Sequence, residues 1–467
     1  MEKDLIVIGG GPGGYVAAIR AAQLGAKVTL VEEDRVGGTC LNRGCIPTKA
    51  LYKNAQIIQT LKKSADFGIQ LPGFSLDMPK VQERKREVVD RLCAGVGQLL
   101  KGNRVEVISG KGSLVDRSTV AVTVPSGNRE LIKGKNILIA TGSVPAKIPV
   151  DGLDLPGVIT SNEALEIDYV PKKMVIIGGG VVGIEFAGIF QSFGTEVTVV
   201  EFLPRILPPV DEEIVRRATM YLKKQGIKIE TGMRVKEISG KQGELKVLAE
   251  GKNGEQEFCG ELVLVSAGRS INIAGLNLDE AGVAYERGGI KVNNRFETSA
   301  PGVYAIGDVI GGQMLAHVAS DEGKAAVENM LGLEGHINYD AVPSCVFSFP
   351  EIASVGLTEE EAKKRGISYL AGKFMFAANG KALTMGEGDG LVKVLAEEST
   401  KKVIGVHILG PHASDLIHEG VLAVEHGLST ADIGRTIHAH PTLAESFLES
   451  VMGVENRAIH IMPQSRK

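Results

Sequence analysis

The sequence has no tryptophan and only 4% aromatic residues, so a bound chromophore would stand out against the weak near-ultraviolet absorbance of eight tyrosines. Cysteine is scarce too. Five in 467 residues, an odd number, cannot be the disulfide framework of a small secreted fold; any disulfide here has a chemical purpose. Positive charge is not in excess. The 52 Lys and Arg stand against 56 Asp and Glu, a net charge of −4, which gives no drive toward nucleic acid or an anionic membrane surface. No apolar run approaches the roughly 18 residues needed to span a bilayer. The start Met1-Glu2-Lys3-Asp4 lacks the basic and then apolar pattern of a secretory signal, which points to the cytosol.

What is present is an ordinary globular mixture, 43% apolar and 23% charged, over a length that favours two to four packed units. The 59 glycines are an excess, suited to backbone lying close to ligands. Leu5-Ile6-Val7-Ile8 runs into Gly9-Gly10-Gly11-Pro12-Gly13-Gly14, after which Ala17, Ala18, Ala21, Ala22 and Leu24 recur at helical spacing. Val28 to Val31 then ends in Glu32, completing a βαβ unit. The same grammar returns with Met174 to Ile177, Gly178-Gly179-Gly180-Val181-Val182-Gly183, a helical stretch, and Val197 to Glu201. In both copies the acid lies 23 residues after the first glycine. The first glycine of each motif permits the turn, the second admits a pyrophosphate, and the third lets helix pack on strand (Gly9, Gly11 and Gly14; Gly178, Gly180 and Gly183). The phosphate sits at the helix N-terminus, where N–H groups are free. Glu32 and Glu201 fall where a carboxylate accepts from an adenosine ribose, and Glu201 would repel a 2′-phosphate, so the second site should prefer NAD over NADP.

Lys80 to Lys101 reads as a packing helix with Val81, Val88, Val89, Leu92, Val96, Leu99 and Leu100 on one apolar stripe. Asn136 to Gly142 and Glu261 to Gly268 read as strands returning to the two nucleotide sites. After Tyr339 short strands (Cys345 to Phe349, Val392 to Leu395) mix with helices (Thr358 to Lys364, Asp415 to His426), a separate α+β domain.

Directly after the first unit comes Gly37-Gly38-Thr39-Cys40-Leu41-Asn42-Arg43-Gly44-Cys45-Ile46-Pro47-Thr48-Lys49. On an ideal helix positions five apart lie about 8 to 9 Å apart, beyond the ~7 Å limit for bridging. A disulfide between Cys40 and Cys45 therefore needs a distorted turn, for which Gly44 supplies permissive backbone, and a short bridge of this kind suits redox cycling. A zinc half-site and two unrelated buried thiols are the rival readings; Cys93, Cys259 and Cys345 are too scattered to complete a zinc site. Near the C-terminus His440 is followed five residues later by Glu445, the pairing of a thiol-activating base with its orienting acid. By spacing alone solvated polar residues are the commoner explanation, and His438 competes. His317, His407, His412 and His418 show no constellation and default to structural roles.

Taken together, the chain resembles the flavoprotein disulfide reductases from Asp4 to about Met462. The motifs occur in family order: Ile6 to Gly14, Gly37 to Lys49, Ala140-Thr141-Gly142, Gly178 to Glu185, Gly302 to Asp308, and His438 to Ser446. The resemblance implies an α/β fold of two Rossmann-like dinucleotide-binding domains plus a C-terminal α+β dimerisation domain. Residues 1–145 would form the FAD-binding domain with the redox disulfide and 146–270 the NAD-binding domain; 271–338 would complete the FAD domain and 339–467 form the dimer interface.

By the same resemblance Glu32 would hold the FAD adenosine ribose and Asp308 the ribityl chain, and Lys49, paired with Glu185, would lie near the flavin. Gly38, Thr39, Gly112, Thr141, Gly142, Met314, Leu315, Ala316 and His317 would complete that pocket, and Val235 and Gly268 would meet NAD. Cys40 would exchange with dihydrolipoamide, Cys45 would sit against the flavin as a charge-transfer thiolate, and His440, oriented by Glu445 and contributed by the other subunit of a homodimer, would take the substrate proton. The implied activity is oxidation of dihydrolipoamide with reduction of NAD+. The implied partners are lipoyl groups of an acyltransferase or of the glycine cleavage H protein, together with the acyltransferase subunit-binding domain.

Rival substrates within the fold are glutathione disulfide, whose reductases carry basic residues for NADPH where this chain has Glu201-Phe202, and mercuric ion, whose reductases carry extra C-terminal cysteines; none follows Cys345 here. The C-terminal redox pair of high-molecular-weight thioredoxin reductases is absent for the same reason. A non-enzymatic NADH-sensing flavoprotein is the rival from another class. Phe349, where the family commonly has histidine, is a departure bearing on packing more than chemistry.

Overall fold

Strands covered on both faces read as continuous β-branched and aliphatic runs, and the first apolar run forms one. The computed structural model describes residues 2–462. Strand β1 (Lys3–Ile8) leads into helix α1 (Pro12–Gln23) and strand β2 (Val28–Glu32), which pairs with β1 in parallel. A seven-stranded sheet grows from this unit. Glu106–Ser109 adds in parallel beside β2, and Arg129–Ile139 in parallel on the other side of β1. Val303–Ala305, from far along the chain, pairs in parallel with Arg129–Ile139.

The second glycine-rich loop belongs to a five-stranded sheet in which Lys228–Thr231, Glu196–Glu201, Lys173–Ile177, Leu262–Val265 and Val158–Ile159 all run parallel. A three-stranded antiparallel sheet, Arg234–Lys241, Glu244–Gly251 and Gly254–Gly260, packs beside it. The C-terminal part is built on a five-stranded antiparallel sheet of different topology, in the order Ser344–Val346, Glu351–Gly356, Val403–Gly410, Leu391–Glu397, Tyr369–Met375. None of the described helices is long and apolar enough to cross a membrane.

Helices α2 (Gly38–Arg43) and α3 (Cys45–Lys62) follow β2, separated by Gly44 alone, and α4 (Met78–Gly102) packs against both. The apolar stripe on α4 differs from the sequence reading. Leu92 and Leu99 are exposed and Val88 is only half-buried, whereas Gln82 and Lys85 are buried with Val81, Val89, Cys93, Val96 and Leu100. The buried face follows the 81-85-89-93 and 96-100 rows, and the two polar side chains are accommodated because each finds a partner. Gln82 donates to the Ile167 carbonyl at 2.7 Å, and Lys85 donates to the Leu165 carbonyl and pairs with Glu166, both at 2.6 Å. They tie α4 to the segment that joins Val158–Ile159 to Lys173–Ile177 in the second sheet. Two strands also end sooner than expected. Arg129–Ile139 stops before Gly142, which turns at φ +70°, and Ser344–Val346 stops because the Phe347 N–H turns to the Glu185 carboxylate at 3.0 Å.

Candidate active site

Both glycine-rich loops close by backbone contact. A Cβ on Gly14 would fall 1.8 Å from the Gly9 carbonyl oxygen, and one on Gly183 would fall 2.0 Å from that of Gly178, so only glycine lets each helix start this tightly against its strand. The N-caps, Gly11 and Gly180, offer no capping side chain, which leaves first-turn N–H groups for an anion. Glu32 accepts from the Gly10 N–H at 2.6 Å and the Asp34 N–H at 2.8 Å, and Glu201 accepts from Gly179 at 2.5 Å and Leu203 at 2.6 Å. Each acid thus braces its own loop and keeps acceptor capacity for a ribose. Burial pushes the Glu32 carboxyl up, against the pull of the Gly10 N–H.

Gly38 and Gly112 lie beside the first loop. Gly38 meets Gly11, with its Cβ position 2.5 Å from the Gly11 Cα, and a Cβ on Gly112, over the ends of β1 and β2, would fall 3.0 Å from the Ile8 side chain and 3.3 Å from that of Val31. Val235 follows Met233, whose N–H binds the Glu201 carbonyl at 2.9 Å, while Gly268 lies two residues after Ser266, which reaches the Gly178 carbonyl at 3.2 Å. Thr141 and Gly142 are pinned to Asn272 at 2.7 and 2.9 Å. Met314 and Leu315 lead into the helix Ala316–Met330, and His317 on that helix faces away to the Pro343 carbonyl at 2.9 Å. Two uncapped helix starts, each with a braced carboxylate, fit two dinucleotides.

The cysteine segment occupies the junction of α2 and α3. Both cysteines are free thiols in this structure and share a thiol–thiol hydrogen bond. Gly44 makes this possible. A Cβ there would stand 2.9 Å from the Thr39 carbonyl oxygen and 3.4 Å from the Cys40 Cα, so the chain folds back on itself where a continuous helix would hold the sulfurs apart. Cys45 opens α3, at the positive end of an 18-residue helix. The hydrogen bond from Cys40 lowers its pKa to about 7, burial opposing and the Lys49 charge assisting. The Cys40 thiol is pushed up by the same hydrogen bond and by burial. Cys93, buried on α4, donates to the Asn42 side chain at 3.2 Å, and Asn42 in turn holds the Gly38 carbonyl at 3.0 Å. A third thiol thereby anchors α2, a role with no signal in the sequence.

Lys49 lies one turn beyond Cys45, on the same face of α3. Its Nζ contacts both Glu185 oxygens, at 3.0 and 2.9 Å, and sits 4.3 Å from the centroid of the Phe347 ring. Cys345 is close enough to feel the Lys49 and Glu185 charges, but burial pushes it up to about 11, so it remains a thiol where Cys45 ionises. Phe349, the departure from family pattern, stacks on Tyr52 at 4.7 Å and fills the space above Gly188.

Asp308 is the second residue of a tight turn, Gly307–Ile310, after Val303–Ala305. Its carboxylate accepts from the Ser143 hydroxyl and lies 3.8 Å from Arg269, which also donates to the Ser143 hydroxyl and carbonyl at 2.6 and 2.7 Å. Buried Glu322 supports the turn from below, accepting the Gly307 N–H at 2.6 Å and the Tyr339 hydroxyl at 2.7 Å. Ser143, Arg269, Glu322 and Tyr339 escaped the sequence reading because nothing in their spacing marks them.

His440 and Glu445 stand apart from the cysteines in sequence and on another element. Nδ1 of His440 bonds a Glu445 oxygen at 2.8 Å, the other oxygen accepts the Thr442 N–H at 2.8 Å, and the His440 side chain is 78% exposed. Burial works against its ionisation, yet the bonds from His440 and Thr442 hold the Glu445 carboxyl below its ordinary value. His438 is 5% exposed and committed to Glu419 at 2.7 Å, which removes it as the competing base.

Comparison with known proteins agrees with this architecture. Residues 3–323 match the model of the pyridine nucleotide-disulphide oxidoreductases, and residues 342–451 match the dimerisation domain of the same group, so the C-terminal part is a dimerisation domain and the chain forms a homodimer. The chain is 45% identical to dihydrolipoyl dehydrogenase of Bacillus subtilis, covering 98% of this chain and 99% of the relative. It is 43% identical to mitochondrial dihydrolipoyl dehydrogenase 1 of Arabidopsis thaliana, covering 98% and 92%. The structure of LpdA from Mycobacterium tuberculosis superposes with a TM-score of 0.90 at 26% identity, over 96% of this chain and 99% of that one. With two braced nucleotide loops, a paired thiol and a dimerisation domain in one chain, this protein belongs to the pyridine nucleotide-disulphide oxidoreductase family.

Proposed function

We propose that this protein oxidises dihydrolipoamide to lipoamide with reduction of NAD+ to NADH, working through the Cys40 and Cys45 pair and FAD. The observation that carries the reading is the hydrogen-bonded thiol pair at the start of α3, in which Cys45 ionises at about 7. A thiolate of that kind is a good leaving group in exchange. In the oxidised protein a substrate thiolate attacks the Cys40 sulfur, the bond between Cys40 and Cys45 breaks, and Cys45 departs as the thiolate that Lys49 and the helix N-terminus stabilise. The second substrate thiol then displaces Cys40 and closes the lipoyl ring, leaving the protein with the electron pair as a dithiol. His440 accepts the substrate thiol proton at Nε2, because Glu445 occupies Nδ1 and fixes the tautomer.

When bound, FAD supplies the two-electron carrier between this dithiol and the nicotinamide. Glu32, the Gly9 to Gly14 loop, Gly112, Thr141 and Asp308 would hold it, and Glu201 with the Gly178 to Gly183 loop would hold NAD. Exposure of His440 in one chain supports its serving the cysteine pair of the other subunit. In the same reading, residues 1–145 and 271–338 form the FAD domain, 146–270 the NAD domain and 339–467 the interface. The partners are lipoyl groups of an acyltransferase or of a glycine cleavage H protein, in the cytosol. The test is turnover with dihydrolipoamide, glutathione disulfide and mercuric ion, each with both nicotinamide cofactors. Dihydrolipoamide with NAD+ should exceed every other combination; a faster NADPH-dependent reduction of either rival would overturn the reading.

A further inference from the structure

Phe347 touches both halves of the Lys49–Glu185 pair. Its N–H donates to a Glu185 oxygen at 3.0 Å, and its ring lies under the Lys49 Nζ, 4.3 Å from the centroid. The ammonium is thus held by the carboxylate, at 2.9 and 3.0 Å, and by the negative face of an aromatic ring. The ring is itself fixed. Tyr52, one turn beyond Lys49 on α3, meets it edge to face at 5.7 Å and stacks on Phe349 at 4.7 Å, while the Tyr52 hydroxyl donates to the Ser348 carbonyl at 3.1 Å. Phe349 in turn covers Gly188, one turn beyond Glu185 on the helix Val181–Phe193. Filling the space at 347 needs only an apolar side chain. It does not need a ring face against an ammonium, or an N–H given to Glu185 where the strand Ser344–Val346 could have continued. A lysine ammonium on its four-carbon stem otherwise swings and hydrates freely, and the ring keeps both water and alternative rotamers from it. A charge shielded from water acts more strongly on its neighbours.

We propose that Phe347 is a positioning residue: its ring and its backbone N–H together hold the Lys49–Glu185 pair in the arrangement that keeps the Lys49 charge acting on Cys45. This rests on the functional reading above, in which Cys45 departs as a thiolate. Besides Cys40, whose hydrogen bond dominates, the groups whose charges act on Cys45 are Lys49, Glu185 and Arg269. Phe347 works through the first two and leaves the others alone.

The test uses the FAD-loaded homodimer with its thiols reduced, and reads the pH dependence of Cys45 alkylation, the modified peptide being identified by mass. Phe347→Leu keeps an apolar side chain and removes the ring face. It should raise the Cys45 midpoint by roughly 0.3 to 0.5 pH unit, a part of the full effect of a neighbouring cation. Phe347→Tyr, which restores the face, should return the midpoint to the parental value. Phe347→Leu placed in the Lys49→Met protein should give no further shift, because the ring acts through the ammonium. An unchanged or lowered midpoint in Phe347→Leu, the same shift in Phe347→Tyr, or a shift that persists without Lys49 would overturn the assignment. A parent that fails to oxidise dihydrolipoamide would instead remove the functional reading, and the alkylation midpoints would still decide what Phe347 does to Lys49.

Discussion

Lys49 reaches both Glu185 oxygens at 2.9 and 3.0 Å while standing one helical turn from Cys45, so a cation and an anion act on the same thiol with opposite sign. The hydrogen bond from Cys40 is the larger influence, and the two charges adjust it. Lys49→Met should therefore raise the ionisation midpoint of Cys45 above about 7, by roughly one pH unit. Glu185→Gln should lower it. The measurement is the pH dependence of alkylation of the reduced protein, with the modified cysteine identified by peptide mass. Shifts of the same sign in both variants would show that packing, not charge, sets the thiol.

Gly44→Ala probes the fold-back directly. The new methyl would meet the Thr39 carbonyl oxygen at 2.9 Å and its carbon at 3.3 Å, both backbone atoms that no rotamer change removes. The junction must open, at about 1 to 3 kcal/mol, and the sulfurs should separate. After mild oxidation the variant should retain titratable Cys40 and Cys45 thiols under conditions that close the pair in the parent. Equal rates of closure would mean that α2 and α3 adjust without Gly44.

His440→Ala should depress dihydrolipoamide oxidation by roughly 10² to 10⁴, the usual worth of a positioned acid–base group, and leave NADH oxidation by an artificial dye near the parental rate. Glu445→Gln should fall between, because the amide oxygen still accepts from Nδ1 but no longer carries the charge that stabilises the imidazolium. Parallel losses in both assays would argue that the segment supports the dimer and not the proton transfer.

Much of the site is local in sequence and was legible for that reason. Each nucleotide loop places its glycines and acid within one βαβ unit, the two thiols are five residues apart, and His440 and Glu445 sit within one turn of the chain. The rest depends on contacts that spacing does not encode. Lys49 and Glu185 are 136 residues apart and were paired only through family resemblance, and Ser143 meets Asp308 across 165. Helix α4 shows a different limit. The sequence pattern puts seven apolar residues on one stripe, but Lys85 and Gln82 take places on the buried face while Leu92 and Leu99 stay exposed, because carbonyls at Leu165 and Ile167 accept from the two polar side chains. A buried lysine is legible only once its acceptor is located.

The junction between the second sheet and the C-terminal sheet rests on another such lysine. Lys393, 2% exposed in the middle of the antiparallel sheet, lies 2.9 Å from Asp211 and 2.8 Å from Glu359. Burial pushes the Glu359 carboxyl up, and the bond and charge of Lys393 overcome it, so the net position is below the ordinary carboxylate value. A carboxyl lowered in the folded state contributes stability at neutral pH that is lost as pH falls through its ordinary value of about 4.3 and below. Lys393→Met removes the cause and leaves two acids without their cation, at a cost of roughly 3 to 5 kcal/mol for a broken buried pair. With the lysine gone, burial raises the Glu359 carboxyl instead. The melting temperature of the variant should therefore lie furthest below the parent near pH 7, and the gap should narrow toward pH 4.5 as the orphaned acids take up protons. A gap independent of pH would assign the loss to the lysine's aliphatic packing and remove the electrostatic account of the junction.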